Sequence, residues 1–249
     1  HQTLVISYHN NQAARLAADL ESLLGSEMVA FFPSNELFPH EDAYEPEVTA
    51  QRIETLGRIL QEEVSVVVTS WEAIQRKLIS PQKLKEFSIN LTVGQEYSLE
   101  LIVEQLIKMG YERVDMVQSM GQFSKRGDIL DLYPLDQSEP IRMEFYGDEV
   151  DSIRNFRIED QISTSTLKTI EILPAREGLW HLEDFLQKRS LIEAELARQV
   201  NKLEDCGRVK EAEALRDHIA EALERLASGH QVPGADQFLP WIDPQLVSL

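Results

Sequence analysis

Apolar residues recur along this chain with two different periods, and the change of period divides it. Up to about residue 90, short apolar runs alternate with helical spacing. Residues 4–8 and 28–32 read as buried strands, and residues 64–69 as a third strand rich in valine. Between the first two, Ala13, Leu16, Ala17, Leu20, Leu23 and Leu24 recur at helical spacing, and Gly25 ends that helix. Val48, Ile53, Leu56, Ile59 and Leu60 repeat the pattern over residues 47–62, and a further helix follows the third strand over 71–78. Strands alternating with helices predict a parallel sheet covered on both faces.

The period then shortens to two. Residues 98–109 form one amphipathic helix carrying Leu99, Ile102, Val103, Leu106 and Ile107. After Gly110 come short alternating strands over 113–117, 122–125, 129–133, 141–145 and 150–158, with Gly147-Asp148 as a hairpin turn. This predicts a small α+β domain with an antiparallel sheet over residues 92–158, inserted between residues 1–91 and 159–249. From Trp180 the chain is strongly helical. Leu182, Phe185, Leu186, Ile192, Leu196, Val200 and Leu203 make one apolar stripe, and Val209, Ala212, Leu215, Ile219, Leu223 and Leu226 another. Gly207 between them makes a helical hairpin the simple reading; two core helices of a larger domain is the other. The tail after Gly229 reads as loop.

Charge narrows the function. A net charge of −19 argues against a general DNA-binding surface, because phosphate contacts need clustered Lys and Arg. A basic protein partner, or a basic spot on one, is easier to accommodate. The single cysteine, Cys206, forms no internal disulfide and offers no zinc-site spacing, which fits a cytoplasmic protein. No apolar run approaches the ~20 residues of a membrane span. The first residues read as a strand with no basic leader before it, as expected of a piece of a longer chain.

The motifs sought decide the enzyme question. A P-loop needs a Gly-Lys step so that backbone amides and a lysine cradle phosphates, and no glycine here precedes a lysine. G-x-G-x-x-G and G-x-S-x-G are also missing, so neither a dinucleotide site nor a nucleophile elbow is expected. The six histidines lack metal-ligand spacing and read as surface or capping residues. Glu41, Asp42 and Glu45 read as a solvated turn, with a metal site as the minor alternative. Trp71 reads as packing rather than base stacking.

One stretch of the middle domain differs from its acidic surroundings. Arg113, Lys125 and Arg126 lie close in sequence to Phe123. Alternation places Phe123 and Lys125 on one strand face and Arg126 on the other or in the turn. The bland reading is surface cations around a core phenylalanine. The sharper one is an aromatic and arginine patch, the composition of an interface hot spot.

These residues also carry a resemblance. Gly110–Asp115 in the form GYERVD, then Phe123-Ser124-Lys125-Arg126-Gly127-Asp128 running on to Tyr133-Pro134, then residues 141–154 reading IRMEFYGDEVDSIR, resemble domain 2 of UvrB and of the bacterial transcription-repair coupling factors. Residues 172–176 and 207–215 resemble the segments that follow, so the likeness covers nearly the whole chain. It implies a degenerate, helicase-type UvrB-like α/β domain bearing an inserted α+β domain and a helical segment. UvrB itself uses ATP and grips DNA with a long aromatic β-hairpin. Residues 32–44 are short and acidic here, which favours the N-terminal UvrB-homology module of a coupling factor over a UvrB-type damage-recognition helicase.

What the resemblance implies is a non-catalytic module that binds UvrA through Arg113 and Arg126, with Phe123 as the aromatic contact. It would have no cofactor of its own and would bind DNA weakly or not at all. ATP, magnesium, RNA polymerase and DNA would be handled by further domains of the family, whose C-terminal part is thought to mask the docking surface. Ser124 stands where UvrB-like sequences can place another arginine, so Ser124→Arg is expected to strengthen binding.

Overall fold

The fold was established from a computed structural model describing residues 1–35, 46–230, 232 and 234–249. The metal alternative at Glu41, Asp42 and Glu45 therefore lies outside the described residues. Among the described residues the chain divides into two compact units: residues 1–35, 46–177 and 248–249 form the first, and residues from 178 to 247 the second.

The first unit opens with β1 (Thr3–Ser7), α1 (Asn10–Leu24), β2 (Val29–Phe32), α2 (Pro46–Leu60) and β3 (Val66–Ser70). Gly25 closes α1 with a backbone φ of 96°, which a side chain would oppose. The three strands are parallel in the order β1-β3-β2. Ala13 and Ala17 of α1 pack on Val29 and Val68, with Val5 at the margin. Thr55 of α2 donates to the Phe31 carbonyl at 3.1 Å, anchoring that helix at the β2 end.

Cover on both faces does not extend to β1. This strand is an edge, and Leu4 and Ile6 are exposed among the described residues. The reason is positional: α2 sits over β2, the far edge from β1. The helix expected over 71–78 is one turn, α3 (Trp71–Ile74), whose buried residue is Ala73, so Trp71 is 54% exposed rather than packed. Two elements were not anticipated: α4 (Pro81–Glu86), with Ser80 as its cap and Pro81 at its first position, and β4 (Ile89–Thr92).

The period-two region builds its own sheet. The element α5 (Leu99–Lys108), capped by Ser98, buries Leu99, Ile102, Val103 and Leu106, each contributing roughly 1.5–3 kcal/mol. Then follow β5 (Glu112–Arg113), β6 (Gln122–Arg126), β7 (Ile129–Leu132), β8 (Ile141–Tyr146), β9 (Glu149–Phe156) and β10 (Ser163–Leu167), in the order β10-β9-β8-β7-β6-β5. The pairings are antiparallel except β5 with β6, which is parallel and only two residues long, unlike the longer strand expected at 113–117. A last strand, β11 (Thr169–Ile172), pairs with β4, bringing the two ends of this region together.

In the second unit, α6 (Leu182–Asp205) and α7 (Val209–Ala227) form the helical hairpin, with Gly207 turning the chain at φ 75°. The tail is not all loop. A 3-10 turn over Ala235–Phe238 leads into α8 (Leu239–Ile242), burying Phe238, Leu239 and Ile242. Among the described residues, no helix is long and apolar enough to cross a membrane.

Candidate functional site

The six-stranded sheet has two chemically opposite faces, and strand alternation decides which residue belongs to which. Ile141, Met143 and Phe145 of β8 are buried, whereas Arg142 and Glu144 are half-buried and Tyr146 is exposed. The register carries this division across the sheet. Leu130 stands beside Met143 and Leu132 beside Ile141 on the apolar side; Asp131 stands beside Arg142 on the polar side. Lys125 belongs to the apolar side but reaches outward to Glu100 of α5 at 2.9 Å, which places that helix over this side.

The polar side is organised around one buried carboxylate. Asp131 is 2% exposed and paired with two arginines. Arg142 grips it with two bonds, Nε to Oδ1 at 2.7 Å and Nη2 to Oδ2 at 2.9 Å. Arg126 adds a single bond, Nη2 to Oδ2 at 2.6 Å, and half of its side chain lies in solvent. Arg142 also lies 4.7 Å over the ring of Phe156 and donates to Gln161 at 2.9 Å. The Asp131 hydrogen bonds raise the Arg142 guanidinium further above its ordinary value. Next along the sheet, Arg154 bonds Glu144 at 2.6 Å. These strand positions thus bring three guanidinium groups together on one side of the sheet, with Asp131 and Glu144 as their carboxylate partners. Tyr146, 85% exposed, stands at the tip of the β8–β9 hairpin on this same side.

The structure separates the residues that sequence grouped. Phe123 is wholly buried, so it supports β6 from the core and makes no surface contact. The bland reading holds for it because β6 is covered by α5 on that side. Arg113 is exposed and forms no ion pair among the described residues, but β5 pairs it with Phe123. Its register therefore puts it on the opposite face from Arg126. Ser124 is buried and donates to the Asp115 carbonyl at 2.9 Å, so an arginine there would break a satisfied contact rather than add a surface charge. The residues sequence reasoning missed are Asp131, Arg142, Arg154 and Tyr146. Period-two alternation through 141–146 was the signal that put Arg142, Glu144 and Tyr146 on one face.

Two other charged groups serve different ends. Arg52 of α2 is 1% exposed, bonds Glu177 twice (2.5 and 2.8 Å) and the Pro33 carbonyl (2.6 Å), and stacks 4.1 Å from the Phe32 ring. It is a buried clamp between residues 125 apart in sequence. A cleft of ≈ 460 Å³ is lined by Glu54, Arg58, Asp136 and Glu171. Burial pushes the Glu54 and Asp136 carboxyls up. Among the described residues, no cluster of His, Cys, Asp or Glu is arranged to hold a metal ion.

Comparison with known proteins gives these observations a frame. Residues 89–177 match the UvrB interaction domain family. The chain is 37% identical over 226 residues to the transcription-repair-coupling factor of Bacillus subtilis (strain 168), covering 90% of this chain and 19% of that protein. It is 31% identical over 183 residues to that of Myxococcus xanthus, and 30% over 193 residues to that of Staphylococcus aureus (strain bovine RF122 / ET3-1). Those matches cover 70% and 75% of this chain, and 15% and 16% of the relatives. The chain thus spans less than a fifth of the length of the curated relatives it matches.

Proposed function

The chain belongs to the transcription-repair-coupling factor family, as a UvrB-homology module, and from that premise we propose that it is the family's non-catalytic docking module for the repair protein UvrA. The observation that carries the reading is the polar face of the six-stranded sheet. It lies within the segment matched to the UvrB interaction domain and concentrates arginine in an otherwise acidic chain. Arg126 and Tyr146 are its exposed contacts; Arg142 and Arg154 hold the face in shape. The proposed arrangement is a UvrB-like, degenerate helicase-type α/β part over residues 1–91 that presents the inserted domain of residues 92–158, while the helical residues after 177 make a unit of their own. The strand β10 and the β4–β11 pair extend the insert's own structure toward the matched limits of 89–177. In the whole protein, the module would recruit UvrA to stalled RNA polymerase during transcription-coupled excision repair. ATP-driven translocation on DNA would belong to other domains.

The direct test is capture. Immobilised chain is expected to retain purified UvrA with a dissociation constant in the micromolar range or tighter. Absence of binding at tens of micromolar UvrA would overturn the reading. A second measurement separates this module from a UvrB-type ATPase core. Titration with Mg-ATP is expected to give no saturable heat, because no Gly-Lys phosphate cradle exists in the sequence. Saturable, magnesium-dependent micromolar binding would favour the helicase reading instead.

A further inference from the structure

Asp131 is a buried anion inside a surface proposed to bind through cations, and its geometry toward the two arginines is unequal. Arg142 is held by two bonds and is mostly buried, stacked on Phe156. Arg126 commits one N–H to Asp131. The rest of its five donors have no partner among the described residues, and half of the side chain is in solvent. An arginine left free on a surface loses rotamer freedom when a partner captures it, and that loss weakens binding. An arginine already tied at one nitrogen has lost most of that freedom before the partner arrives, yet keeps an open edge for a second carboxylate.

We infer that Asp131 is a positioning residue for partner recognition: it presets the Arg126 guanidinium so that its unbonded edge meets an acidic group of the partner. The inference rests on the docking reading above. It differs from a purely structural role, in which Asp131 neutralises Arg142 and fixes the sheet whatever Arg126 does. The shared oxygen Oδ2, bonded by both arginines, links the two roles geometrically. The unequal bonding separates them, because Arg142 keeps its own bond to Oδ1.

A double-mutant cycle on UvrA dissociation separates the two roles, using the whole chain with Asp131→Asn and Arg126→Ala. Asparagine keeps an acceptor for Arg142 while weakening the charged tether. The expected result is dissociation about three- to tenfold faster for Asp131→Asn in the wild-type background, and less than about twofold faster in the Arg126→Ala background. Equal acceleration in both backgrounds would mean a structural role, and no acceleration in the wild-type background would mean no role; either overturns the inference. Where Arg126→Ala binds too weakly to time, relaxation of the Arg126 Nε–H by NMR in the free chain decides. Ordered in wild type and mobile in Asp131→Asn is expected; equal order in both sinks the idea. Failure of the wild-type chain to bind UvrA at all would instead count against the docking reading.

Discussion

Arg126→Glu is expected to abolish measurable UvrA capture, and Arg126→Ala to weaken it by well over tenfold, without unfolding the sheet. Truncating one member of a desolvated charge pair costs about 2–5 kcal/mol, largely by stranding the other member. Each 1.4 kcal/mol is a factor of ten in affinity. The fold should survive because Asp131 is not orphaned when Arg126 is lost: Arg142 still holds both of its oxygens. Arg142→Ala makes a poorer probe, since it strips two bonds from a buried carboxylate and uncovers Phe156. Tyr146→Ala should weaken capture without a stability change, the side chain being almost wholly in solvent. Arg113→Ala should have a smaller effect than Arg126→Ala, because its register sets it on the other face. Titration of these variants against UvrA, with thermal unfolding alongside, checks the order. Unchanged affinity for Arg126→Ala together with a lowered melting temperature would show that the residue only ties down Asp131.

The largest stability effect is expected at the Arg52–Glu177 clamp. Glu177→Ala leaves a guanidinium that is 1% exposed with, among the described residues, one carbonyl and one ring for company. Breaking a buried pair from one side costs about 3–5 kcal/mol, because the remaining charge is neither solvated nor matched. Against a total stability of about 5–15 kcal/mol that is a large share. For a folding unit of this size, each kcal/mol moves the midpoint by roughly 2–4 °C. A fall on the order of 10 °C in the transition of the first unit is therefore expected. Replacing both partners, as Arg52→Met with Glu177→Leu, should recover most of the loss, since no charge is left behind. A Glu177→Ala midpoint within about 2 °C of wild type would show that water reaches Arg52 and satisfies it.

Local sequence fixed where most elements form. Period-two alternation predicted the strand over 141–145, and in the structure the same alternation separates Arg142, Glu144 and Tyr146 from Ile141, Met143 and Phe145, because successive strand residues point to opposite faces. Helical spacing and Gly25 set α1, and the alternation of strand and helix announced a parallel sheet. Absent phosphate-binding glycines and the acid surplus directed attention from nucleotides and DNA to protein partners. The family likeness of the middle segment was legible in its motifs, and the match over residues 89–177 agrees with it.

Tertiary structure decided everything that depends on what lies across a face or beside an edge. Burial of Phe123 depends on segments distant in sequence covering the apolar side of the sheet, where Lys125 reaches Glu100 of α5. The separation of Arg113 from Arg126 depends on β5 pairing parallel to β6, a register no local pattern encodes. Exposure of Leu4 and Ile6 depends on β1 falling at the sheet's edge rather than its centre. The Asp131 network joins residues 126, 131 and 142 through cross-strand neighbours, and the Arg52 clamp spans 125 positions. Periodicity reports the direction of a side chain from its own strand or helix. Its partner is chosen by the packing of distant segments, so the sequence showed which residues share a face and only the fold showed which of them meet.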